Sequence, residues 1–143
     1  MKLKLLVAAS LLAFSVNSIA AMPPKPKKCP TAASIQAEGL SNELVVQDSD
    51  GTWVVGLMQS DYGTKYSWTF VVGKIEADDE NDAFDKATAS LSSLAFARGP
   101  IAISQISKWG CAYTNDENYP AVAVSPSLEG SISNLGLAAR SLS

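Results

Sequence analysis

The sequence predicts an α+β domain: an antiparallel sheet of about five strands, one main helix packed on one face, and a short N-terminal helix tethered by a disulfide. Three observations predict it. Apolar and polar residues alternate between Glu43 and Val72, with turn-forming residues separating the runs. An acid-rich helix start at Asp78 precedes an apolar stripe of helical spacing. Two cysteines, Cys29 and Cys111, stand either side of these elements.

The chain opens Met1-Lys2-Leu3-Lys4 and continues in an uncharged, mostly apolar run from Leu5 to Phe14. That run is shorter than the ~20 residues a helix needs to cross a bilayer, and it has the length of the apolar part of a secretory signal. Ser18 and Ala20 are small where a signal peptidase reads, so residues 1–20 are expected to be a signal and Ala21 the start of a periplasmic or secreted protein, with cleavage after Ala21 as the near alternative. Loss of Lys2 and Lys4 leaves nine Lys and Arg against fourteen Asp and Glu, a net of −5 where the whole chain has −3. An acidic domain has little with which to neutralise phosphates, so nucleic acid is not an expected partner. No later stretch is long and apolar enough to span a membrane.

Residues 21–28 form a lead-in, Ala-Met-Pro-Pro-Lys-Pro-Lys-Lys, whose prolines favour an extended tether. Residues 29–126 form the domain, and 127–143 a flexible tail with a helical patch near Asn134 to Ala139. Pro30 early and Gly39 late bound a short helix. In an oxidising compartment Cys29 and Cys111 read as one disulfide closing a loop of about 80 residues, which stabilises by roughly 4 kcal/mol in the chain-entropy picture.

A turn centred on Asp61–Thr64 sets Trp53 opposite Val72, Val55 opposite Phe70, Leu57 opposite Trp68 and Gln59 opposite Tyr66. A turn centred on Asp48–Gly51 sets Leu44 opposite Val55 and Val46 opposite Trp53. Both hairpins then select one face of the shared strand. The main helix is capped by Asp79 with Asp82 three residues on, carries Phe84, Ala87, Leu91 and Leu94 on one side, and ends at Gly99-Pro100. Residues 100–108 fit neither period. A last hairpin about Asn115–Asn118 sets Cys111 opposite Val122 and Trp109 opposite Val124, with Cys111 inward and, because Pro120 cannot donate to a ladder, the final strand at an edge.

The chain has no histidine. That removes Ser-His-Asp and Cys-His catalysis, the usual zinc sets and histidine-ligated haem, and no P-loop, nucleophile-elbow or dinucleotide motif is present. The acids at 76–82 read as a solvated helix start, so no metal site is expected and the protein is read as non-enzymatic. Trp53, Tyr66, Trp68, Phe70, Trp109 and Tyr113 share the inner side of the sheet, either as core or, where helix and sheet part, as a slot for a planar ligand.

The Pro/Lys lead-in, Cys29-Pro30 opening a helix and Trp109-Gly110-Cys111 together resemble the small exported hemin-binding proteins of Gram-negative intracellular bacteria. The resemblance implies an extracytoplasmic protein that associates with hemin, and implies no axial ligand. Without histidine that ligand must be tyrosine, methionine or thiolate, which points to Tyr62, Tyr66 and Met58 around the long hairpin turn. Lys65 stands ready for a propionate and Trp68 to line the cleft. The competing expectation is a protein–protein interaction module with no small-molecule ligand, its partner held by an exposed edge strand or by the lead-in.

Overall fold

The computed structural model describes residues 21–128; the expected signal and residues 129–143 of the expected tail lie outside them. Six strands form one antiparallel sheet: β1 (Val45–Gln47), β2 (Trp53–Ser60), β3 (Trp68–Ile75), β4 (Ala95–Ile103), β5 (Lys108–Thr114) and β6 (Ala121–Ser125), in the order β1-β2-β3-β6-β5-β4. Helices α1 (Ala32–Glu38) and α2 (Glu80–Ser90) both pack on one side. The α+β class stands, with one strand more than expected.

Local chemistry starts both helices where the sequence places them. The Thr31 hydroxyl accepts from the Ser34 N–H at 3.1 Å, and Gly39 stops α1 at φ 74°. At α2 the Asp79 carboxylate accepts from Asp82 N–H at 2.8 Å, while Asp82 accepts in turn from Asp78 N–H at 3.0 Å. The helix stops at Ser90, nine residues before the expected Gly99-Pro100 end. Serines cluster at and just past its end, and their hydroxyls donate back to carbonyls: Ser90 to Ala87 at 2.6 Å, Ser92 to Ala89 at 3.0 Å. Such local bonds compete with helix propagation. A 3₁₀ turn follows at Leu91–Ser93, and the chain then enters β4. Gly99-Pro100 is therefore a bulge inside a strand rather than a helix stop, lying at a register shift between Arg98 and Ile101.

Two expected hairpin registers are wrong by one residue and one by two, for the same reason. The first hairpin closes at Gln47 opposite Trp53, a five-residue connection. An odd connection flips the face, so Val45 rather than Leu44 opposes Val55, and Leu44 and Val46 turn to the other side of the sheet. Asn118 at φ 60° and an Asn115 side chain that grips Tyr119 lengthen the last turn in the same way. Cys111 is inward as expected but opposes Ala123, while Val122 and Val124 face away from it. In the long hairpin the Asp61 turn is present and irregularities shift the ends by three, Ser60 opposite Trp68 and Trp53 opposite Ile75, while through the middle Val55 pairs with Val72 and Leu57 with Phe70, two residues from the expected register. That even slip keeps the faces.

The final strand is not an edge. β6 lies between β3 and β5, because Pro120 falls one residue before it, where its missing N–H leaves no gap in the ladder. The carbonyl of Pro120 accepts from Gly73 N–H at 2.8 Å.

The two faces of the sheet differ in kind. One carries Trp68, Phe70, Tyr113 and Ile75 against Ala83 and Ala87 of α2 and Ile35 of α1. The other carries Val54, Val71, Val122, Val124 and Ile103, joined by Leu44 and Leu128. Leu128 is fully buried, so the chain stays packed beyond Pro126.

Candidate functional site

Cys29 and Cys111 form the expected disulfide, with an S–S distance of 2.04 Å and Cα atoms 5.9 Å apart. It fixes the lead-in to β5 across the aromatic face. The lead-in is docked rather than a free tether: Trp109 Nε1–H donates to the Pro23 carbonyl at 2.8 Å, the Lys25 ammonium stands 5.5 Å from the Trp109 ring centre, and Pro26 is buried. Gly99 makes this arrangement fit. A β-carbon there would lie 2.7 Å from the Gly110 carbonyl oxygen and 2.9 Å from Cys111 Cα, so only glycine lets β4 pass the disulfide.

The five expected ligand residues are not brought together. Trp68 is wholly buried, its indole N–H given to the Thr64 hydroxyl at 2.9 Å. Tyr62 is buried too, its backbone held left-handed at φ 47° by the turn. Burial, then the neighbouring Glu38 carboxylate, pushes its phenol well above the usual tyrosine value, and its hydroxyl has no hydrogen-bond partner among the described residues. Met58 packs on the opposite, aliphatic face. Only Lys65 and Tyr66 share an accessible place, a depression of about 560 Å³ that they line with Gln59, Ser60, Asp61 and Thr64. Tyr66 stands edge-to-face on Trp68, ring centres 6.5 Å apart.

A second concavity is absent from the sequence reading. Phe96 of β4 is 49% exposed, the only large exposed hydrophobic among the described residues. It stacks edge-to-face on Tyr113 at 5.8 Å and, with Pro30, Ala32 and the disulfide at Cys29, floors a seat of about 410 Å³ walled by Lys27 and Lys28. Phe96 escaped notice because residues up to Gly99 read as helix, although Ala95-Phe96-Ala97-Arg98 also alternates. The three lysines of the lead-in were visible in sequence, but not their neighbour. Beyond the sheet end, Tyr113, Tyr119, Ala121 and Arg98 line a smaller cleft of about 320 Å³.

Among the described residues no group of three or more Cys, Asp or Glu is placed to hold a metal ion, and no helix is long and apolar enough to cross a membrane. Compared with known proteins, residues 28–138 match the family model of a domain of unknown function, DUF4949. No curated protein and no solved structure matches the chain.

Proposed function

The chain belongs to the DUF4949 family, and we propose that it is an exported, non-enzymatic binding module whose seat at Phe96, Lys27 and Lys28 takes an apolar side chain flanked by acids on a partner protein. The observation that carries this reading is the exposure of Phe96 beside two lysines on a chain of net negative charge. An apolar floor rewards desolvation, at about 25 cal/mol per Å². The lysines select for negative charge over a Debye length of about 8 Å at physiological salt. The seat suits one or two side chains, and β4 offers an extended partner only a short run of free edge, since the Gly99-Pro100 bulge interrupts it. Export is supported by the apolar run after Lys2 and Lys4 and by the disulfide.

The test is a random peptide library panned on the purified protein, with recovered peptides titrated by fluorescence anisotropy. Sequences with an aromatic or aliphatic anchor beside Asp or Glu are expected. They should lose about tenfold or more in affinity for Phe96→Asp and weaken with salt. Peptides that bind Phe96→Asp as well as the parent would overturn the reading.

A second reading has one observation in its favour: Tyr66 and Lys65 do line a common depression, where hemin would find a phenolate and an ammonium. A saturable Soret shift on hemin addition, abolished by Tyr66→Phe, selects it. No such shift removes it.

A further inference from the structure

The seat at Phe96 is assembled from two parts far apart in sequence. Phe96 and Gly99 belong to β4, whereas Lys27, Lys28, Pro30 and Ala32 belong to the lead-in and the start of α1. The disulfide clamps the second part to β5, the strand on which β4 is paired. Two hydrogen bonds also dock the lead-in, Trp109 to the Pro23 carbonyl and Tyr113 to the Pro30 carbonyl at 2.6 Å. Lys27 and Lys28, the exposed walls of the seat, stand between those two points and next to Cys29.

We propose that the Cys29–Cys111 disulfide is a redox latch on this seat, opened by an external protein dithiol; the proposal rests on reading the seat as the binding site. The bond is open to attack from one side. Cys111 is fully buried, with the backbone of Gly99 passing close over it, while Cys29 is half-buried and lines the seat. An attacking thiolate therefore enters through the seat and reaches the Cys29 sulfur, and the neighbouring lysines favour the anion. A new S–S bond forms from the attacker to Cys29 as the old one breaks, and Cys111 leaves as a thiolate that takes up a proton. The partner's second thiolate then displaces Cys29, which leaves as a thiol, and the partner is left as a disulfide. Two electrons and two protons have passed from the dithiol to the cystine. The sheet stays whole, because β5 is paired with β4 and β6 along both sides without the bond. The lead-in is left with its weaker holds and opens locally, which carries Lys27 and Lys28 away from Phe96.

The test compares the intact protein, oxidised, with the same protein reduced by dithiothreitol and rapidly desalted. Reduction is expected to speed tryptic cleavage after Lys27 or Lys28 about tenfold or more while the far-ultraviolet spectrum of the sheet is kept. Acidic peptides selected on the oxidised protein should weaken about tenfold or more. Brief exposure to glutathione should place the mixed disulfide on Cys29, read by mass spectrometry. Unchanged cleavage after full reduction, loss of the sheet spectrum, glutathione on Cys111, or peptide affinity that survives reduction each overturns the latch. If no peptide binds even the oxidised protein, the reading of the seat fails, and cleavage, spectrum and mixed disulfide still decide whether the bond is a latch.

Discussion

The two faces of this sheet solve burial differently. The aromatic face buries rings that carry polar atoms, and all but the Tyr62 hydroxyl are given partners: Trp68 uses Thr64, Trp53 uses the Ala77 carbonyl, Tyr113 uses the Pro30 carbonyl and Trp109 uses that of Pro23. Its covers are accordingly irregular, a lead-in, a short helix and a longer one, cross-linked by a disulfide. The aliphatic face, apart from Thr69, offers only methyl groups. Any apolar stripe of the right length can lie on it. Hydrogen bonds from ring atoms order one side, and on the other shape and desolvation do most of the ordering, with Thr69, Ser67 and Lys108 bonding the chain at Ser127 and Leu128.

The largest expected effect lies on the aromatic side. Replacing both Cys29 and Cys111 by alanine should remove about 4 kcal/mol of stability, read as a loss in the denaturation midpoint with a steeper slope, because the unlinked denatured chain is more expanded. Next comes a direct comparison, because Val71 and Val72 are adjacent on β3, both wholly buried, and face opposite ways. Each Val→Ala change should cost about 2 kcal/mol in the intact chain. Equal losses in the denaturation midpoint are expected; a clearly smaller loss for Val71→Ala would show that the aliphatic face collapses around the cavity more readily than the aromatic one.

Smaller still, Tyr113→Phe loses a 2.6 Å bond to Pro30 and should cost about 1 kcal/mol. Tyr62→Phe removes a hydroxyl with no partner among the described residues and should cost close to nothing at neutral pH. The same two tyrosines set an alkaline limit. Burial raises both phenols above their unfolded value near 10. The stability they contribute is therefore complete below about pH 10 and is lost as pH rises toward their folded values. Thermal scans should show a fall above pH 10 that is smaller in Tyr62→Phe. The smallest effect is acidic. Asp82 is held below the usual carboxylate value by the Asp78 N–H and then by Lys86, 3.2 Å away. Its contribution is present above the ordinary carboxylate value and lost as pH falls below it; because the Asp82 side chain is still reached by water, Asp82→Asn should shift the midpoint barely at all at neutral pH.

What the sequence revealed was whatever depends on adjacent residues. The cap at Asp79 and the glycine after α1 rest on local geometry, the pairing of the only two cysteines on there being no other choice, and each is where reading predicts it. Strand register rests on the parity of a turn, and neither the five-residue closure after Gln47 nor the left-handed Asn118 has a signature strong enough to count by eye. The end of α2 was hidden because Leu91 and Leu94 do keep the helical spacing, and both are buried. Their burial is achieved through a 3₁₀ turn instead. Of the site, Tyr66 and Lys65 were legible from a turn, whereas the seat at Phe96 joins β4 to the lead-in across nearly 70 residues of sequence. Only the fold brings them together.

The strand order has a consequence in time. β1, β2 and β3 form one meander, β4 and β5 form another hairpin, and β6 alone joins them. Until residues 121–125 are available, the chain holds two separate pieces of sheet, each with an interior edge unpaired. Long-range pairing of this kind is slow, and those waiting edges are the ones through which chains aggregate. A nascent chain is thus committed to remain unfinished until residues 121–125 have emerged, when one five-residue strand closes both halves at once.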